Sequence, residues 1–166
     1  MAARFARAHG EEPERALLAG LLHDLARLLP PERLLAECGA RGMPIDAFER
    51  ANPIVLHARL GAELARERFG ILDETVLDAI RAHTLGAARM SRTAVIVYLA
   101  DSLEPGRDYQ ERGEYEALAR RDLDAAMRVV LASTIAHWSA RGFGVAPQTL
   151  AAVAEYTSLH EEKKTA

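Results

Sequence analysis

The sequence predicts an all-α protein, on three observations. Ala, Leu and Arg dominate a chain that is 49% hydrophobic but only 5% aromatic, and all three favour helices. Apolar residues recur three and four positions apart, the spacing of a helix face. Between those stretches stand Gly, Pro and short polar residues, the usual stops and starts of helices. At 166 residues the chain suits one domain over 1–166, with a sizeable core.

The elements follow in order. Residues 1–9 read as a helix with no N-cap residue ahead of it, stopped by Gly10. Pro13 opens a second helix at its first turn, where a missing N–H costs nothing. It is expected to run to about residue 29, burying Leu18, Leu21, Leu22, Leu25, Leu28 and Leu29 as a stripe. Ala16, Ala19 and Gly20 are small enough to admit a second helix, and Pro30-Pro31 ends the run. Residues 32–38 form a short helix closed by Gly39, the chain turns at Gly42-Met43-Pro44, and 46–50 make one helical turn. Asn52-Pro53 reads as the N-cap and first position of a helix reaching about residue 69. His57 falls in its second turn.

Gly70 ends that helix and Asp73 caps the next, on which Val76, Ile80 and His83 share a face before Gly86. Ser91 caps a helix whose stretch 94–100 is apolar nearly all round, which marks it as central. Asp101 follows on a face expected to be buried, and Pro105-Gly106 break the helix. Residues 114 to about 141 read as one long amphipathic helix with Leu118, Leu123, Met127, Val130, Leu131 and Ile135 as core candidates. Gly142-Phe143-Gly144 turns, 149–159 forms the last helix, and 161–166 is a charged, frayed tail.

A net charge of −3 argues against a general nucleic-acid binder. The 19 Arg against two Lys read first as lineage bias, yet leave room for a phosphate ligand gripped by two or three guanidinium groups. Cys38 is the single cysteine, so no intramolecular disulfide forms, which fits a reducing cytoplasm. No apolar run approaches the roughly 20 residues of a membrane span, and no signal-peptide core is present. The expectation is a cytoplasmic protein with neither nucleic-acid nor membrane partners.

The candidate site begins at His23-Asp24, set inside an apolar helical segment with Arg27 one turn on. His57, His83 and Asp101 stand where they could complete it. Each has an ordinary reading alone: His57 as exposed, His83 as a cation at a helix C-terminus, Asp101 as an ion-pair partner. Together, on inward faces, they compose a mixed nitrogen–oxygen donor set suited to Fe, Mn, Zn, Ni or Co. Such a site acidifies a bound water and polarises a phosphoryl oxygen. Arg27 and Arg107 could neutralise phosphate charge beside it. His9, His137 and His160 read as structural or surface residues.

The order His-Asp, then a distant Asp, resembles the HD-domain metal-dependent phosphohydrolases. Four stretches resemble their YqeK-type branch, the symmetrical bis(5'-nucleosyl)-tetraphosphatases. They are AGLLHDLAR at 19–27, LHARLGA at 56–62, AIRAHT at 79–84 and VYLADSLEPGR at 97–107. The resemblance implies a single HD-domain helical bundle and symmetrical cleavage of diadenosine tetraphosphate to two ADP by a metal-activated water. It implies His23, Asp24 and Asp101 as metal ligands, with His57 and His83 ligating a second metal or contacting the scissile phosphate. Asp24, His57, His83 and Arg27 would be catalytic; Arg27, His57, His83, Thr84, Glu104 and Arg107 would bind substrate. Iron is the implied metal, with manganese, magnesium or another transition metal as alternatives, a small nucleotide is the implied partner, and a homodimer is possible. The family has Lys where Arg27 stands and often Asn in place of Gly106. Its first metal His lies on a helix well upstream of the His-Asp pair, whereas 22 residues precede His23 here. Residues 1–7 resemble the second half of that helix, so the expectation is a truncated sequence; were it complete, metal affinity should fall for want of one imidazole ligand. The alternatives are another HD phosphohydrolase, a nucleotidase or an alarmone pyrophosphohydrolase, or a non-catalytic nucleotide-binding module.

Overall fold

A computed structural model describes residues 1–165, with side chains to Leu159. The helices are α1 (Ala2–Ala8), α2 (Pro13–Leu22), α3 (Pro31–Ala40), α4 (Ala47–Ala51) and α5 (Leu56–Phe69). They continue with α6 (Glu74–Ala82), α7 (Arg92–Ser102), α8 (Arg112–Ala119), α9 (Leu123–Ala140) and α10 (Pro147–Thr165). No strand occurs among the described residues. Among them, too, no helix is long and apolar enough to cross a membrane.

The central helix is α7, as its all-round apolar stretch predicts. Residues 93–100 are all buried, and α7 packs against α1, α2, α6 and α9. Phe5, Leu77, Ile80, Ile96, Leu99 and Met127 close the main core around it, each contributing about 1.5–3 kcal/mol by leaving water. A smaller cluster of Ala26, Leu34, Cys38, Leu56, Leu60 and Leu64 joins α3 to α5. The Ser91 hydroxyl accepts from Ala94 N, and the Asp73 carboxylate accepts from Thr75 N, so both expected caps form.

The segment carrying His23-Asp24 differs from expectation. Helix α2 stops at Leu22. Beyond it the backbone steps through tighter i→i−3 bonds: Leu25 to Leu22, Arg27 to Asp24 and Leu29 to Ala26, at 3.1, 2.9 and 3.1 Å. The leucine stripe is inner only in part. Leu18, Leu22, Leu25 and Leu29 pack, partly buried, against the core, but Leu21 is 71% and Leu28 98% exposed, while Ala16, Ala19 and Ala26 are buried. Close approach of neighbours explains why the deepest positions are small. A Cβ on Gly20 would sit 3.5 Å from Ala2 Cβ, and one on Gly61 of α5 would sit 3.4 Å from His23 O.

Four boundaries also move. Helix α3 runs through Gly39, and the chain turns at Gly42, whose φ of +64° suits glycine. Asn52 does not cap α5; its amide donates to Phe48 O at 3.0 Å, and Pro53–Val55 forms a 3₁₀ turn. His57 therefore lies in the first turn of α5, not the second. The long helix expected over 114–141 is two, broken where Asp122 (φ −146°) caps α9 by accepting from Asp124 N and Ala125 N. Helix α10 starts at Pro147 and runs to Thr165. The tail expected at 161–166 falls beyond the described side chains, and Ala166 lies outside the described residues.

Candidate metal centre

Three imidazoles reach one space from three elements, and the same local device aims each. His23, in the turn after α2, donates Nδ1–H to Gly20 O at 2.7 Å. His57 donates to Ile54 O at 2.6 Å, and His83, at the end of α6, donates to Ile80 O at 2.7 Å. A carbonyl only accepts, so each Nδ1 carries the proton and each Nε2 keeps a lone pair. Metal-binding histidines are commonly oriented this way. His57 and His83 are buried.

Two carboxylates enter the same space. Asp24 Oδ1 lies 3.2 Å from His57 Nε2 and 3.7 Å from His83 Nε2, and its Oδ2 lies 3.6 Å from His23 Nε2. Asp101, from the end of α7, places Oδ1 3.6 Å from His23 Nε2. The donors form two overlapping sets, His23–His83–Asp101 and Asp24–His57–His83, each spanning no more than 4.8 Å.

The donor chemistry fits a metal ion. His57 Nε2 and His83 Nε2 stand 3.1 Å apart with their lone pairs facing. The Thr84 hydroxyl lies 3.2 and 3.0 Å from them, and its one proton satisfies one nitrogen at a time. A cation relieves the remaining repulsion between acceptors and suits the mixed imidazole–carboxylate set.

The electrostatics treat the groups of the site differently. Burial pushes His57 down to about 4, so its ring is neutral at pH 7. Burial alone would raise Asp101, but the His23 hydrogen bond and the Arg107 guanidinium hold it at about 2. Hydrogen bonding with His83 foremost lowers Asp24. The Asp101 hydrogen bond, against burial, raises His23.

The centre opens into a cleft of about 610 Å³, within the usual range of ligand sites. Arg27, Thr84 and Arg107 line it. The Arg107 guanidinium is 2.8 Å from Asp101 Oδ1, whereas the Arg27 guanidinium makes no hydrogen bond or ion pair among the described residues. Glu104, expected beside substrate, is not part of the lining; it is exposed, 3.9 Å from Arg107 Nε. His9 lies apart from the cluster, its Nε2 2.7 Å from Ala119 O. His137, read from the sequence as structural or surface, lines the cleft with Trp138, Arg141, Phe48 and Tyr109. The His137-Trp138 pair close to an Arg one turn on was the signal available for that wall.

Comparison with known proteins matches this geometry. The HD domain profile covers residues 1–106, which include all five cluster residues. The chain belongs to the HD-domain family, in its symmetrical bis(5'-nucleosyl)-tetraphosphatase branch. The HD domain here is 32% identical to the symmetrical bis(5'-nucleosyl)-tetraphosphatase of Bacillus subtilis over 84% of this chain and 75% of that one. It is 33% identical to the protein of the same name from Halalkalibacterium halodurans, over 96% and 83%. Its fold matches a crystal structure from Clostridium acetobutylicum, titled as a predicted HD superfamily hydrolase involved in NAD metabolism. The TM-score is 0.91 at 35% identity, over 95% of this chain and 83% of that one.

Proposed function

We propose that the chain hydrolyses dinucleoside tetraphosphates symmetrically, yielding two ADP from diadenosine tetraphosphate. The observation that carries this is the convergence of three imidazoles and two carboxylates beside Arg27 and Arg107, in a chain whose relatives are named for that activity. His23, Asp24 and Asp101 hold the metal, for which iron is the proposed ion, and His57 and His83 complete a second ion's set or face the scissile phosphate. A metal there supplies Lewis acidity, which acidifies water and polarises a phosphoryl oxygen.

The chain's own residues do the rest. Arg27, unpartnered, offers a planar fork to the phosphates. Arg107, held by Asp101, brings a second fixed positive charge, and together they offset charge that grows on the phosphoryl oxygens. Thr84 holds its hydroxyl proton between His57 and His83 and can turn it to a phosphate oxygen. A small nucleotide is the partner; a homodimer, a cytoplasmic setting and the absence of nucleic-acid partners belong to the same proposal.

Product analysis tests the reading. With ferrous iron under reducing conditions, diadenosine tetraphosphate should give ADP alone, and metal analysis should find iron retained by the protein. AMP with ATP, or no products, would overturn it.

A further inference from the structure

The cleft has a second wall that this chemistry leaves unused. Helix α9 turns Ser133, His137, Trp138 and Arg141 toward it, at offsets of four, five and eight from Ser133, a single helix face. This wall is tied to α7, against which α9 packs. Opposite stands Phe48 of α4, and a Cβ on Gly144 would lie 3.9 Å from its ring.

The composition of the wall points to a ligand. Five of the chain's nine aromatic residues, Phe48, Tyr98, Tyr109, Trp138 and Phe143, line this cleft. Tyr98 is buried, and the other four gather ring surface where a ligand can cover it. Phe143 is 56% exposed, and Trp138 is half-buried and belongs to neither core cluster. Arg141 has no hydrogen bond or ion pair for its guanidinium among the described residues. A partly exposed indole and an unpaired guanidinium, one turn apart on the wall of a phosphate-handling cleft, suit a flat heteroaromatic ring that carries negative charge.

We infer that this face of α9 is a nucleoside platform: the Trp138 indole stacks one base of the dinucleotide, and Arg141 pairs with phosphate charge beside it. The inference rests on the dinucleotide reading above and adds the residues that select a nucleotide over bare polyphosphate. Stacking is tolerant of base identity, so this wall favours a nucleoside over none more strongly than adenine over guanine.

Trp138 is the chain's single tryptophan, so its fluorescence reports on this wall alone. The metal-loaded full chain is titrated with a diadenosine tetraphosphate analogue whose central bridging oxygen is replaced by methylene, and separately with inorganic tripolyphosphate. The analogue should quench the indole; tripolyphosphate should compete with it yet leave the emission unchanged. Trp138→Ala should weaken the analogue about tenfold and tripolyphosphate hardly at all, with Trp138→Phe recovering most of the loss. In turnover, Trp138→Ala should raise KM and spare kcat. An analogue that binds by calorimetry without changing the emission overturns the platform, as does an equal loss of both ligands in Trp138→Ala. ADP formation without quenching would remove the platform and leave the activity standing. Quenching without ADP formation would do the reverse.

Discussion

On the histidine wall of the cleft, every imidazole is tied to a carbonyl three residues back, and two of the three rings are buried. On the α9 wall, Trp138 is half open and Arg141 has no partner among the described residues. The difference tracks what each wall must do. Donor atoms serve a metal only at set positions, so their aim has to be built in before anything binds. A base platform needs only a flat face and an adaptable charge, so its side chains can wait for the ligand to order them.

Several changes would break or sharpen that contrast. The largest effect is expected from His23→Ala or Asp24→Ala, which should abolish turnover and bound metal; steady-state assays and metal analysis check both, and full activity in either variant would end the donor-set reading. Next comes Gly61→Leu. Its side chain would push on the turn that carries His23, because even a Cβ there lies 3.4 Å from His23 O. Metal affinity should fall about 10- to 100-fold, while Gly61→Ala stays near wild type. If Leu is also neutral, the histidine wall is less rigid than its hydrogen bonds indicate.

Glu49→Ala tests how α4 is anchored. Glu49 is buried and pairs with Arg59 at 2.6 Å, so its loss should lower stability by about 2 kcal/mol in a denaturant melt. It should also loosen Phe48 at the cleft's end without touching the donors. Arg27→Ala should raise KM about tenfold, the worth of a charged hydrogen bond, and Arg27→Lys should recover part of it. The smallest effect concerns Asp46, which forms a capping box with Glu49. Asp46→Ala should cost about 1 kcal/mol. The Glu49 backbone N–H foremost lowers the Asp46 carboxyl from its ordinary 3.8. Its contribution is therefore complete above that value and fades as pH falls through the lowered one, so the gap between wild type and variant should close in acid.

Much of this was legible in the sequence, for local reasons. Ser91 and Asp73 announce helix starts because their side chains cap neighbouring N–H groups. The stretch 94–100 announces a central helix because no side of it is polar. The metal-centre candidates could be picked out because His and Asp on inward faces are costly unless something pairs them. What stayed hidden was decided by packing between distant segments. Periodicity finds a leucine stripe but not where the neighbours come closest, so it misses that Leu21 and Leu28 are exposed while Ala16, Ala19 and Ala26 are the most deeply buried. Continuous amphipathicity over 114–141 outweighed the Asp122 cap that divides it. Nothing within α9 itself says that its C-terminal half lines a cleft with His57 and His83, so His137 read as structural or surface.

The pins on the three imidazoles carry a consequence for metal supply. Each ring's aim is set within its own stretch of chain, so capturing an ion freezes few rotors, and releasing it leaves the scaffold's shape behind. The same directed lone pairs then greet whichever divalent ion arrives. Ions of the first transition row differ in affinity for such donors by their position in the series more than by anything the scaffold imposes. Ligand type and geometry share the choice with metal supply, so the ion carried by a site of this build should follow the metals offered to it while the scaffold keeps its shape.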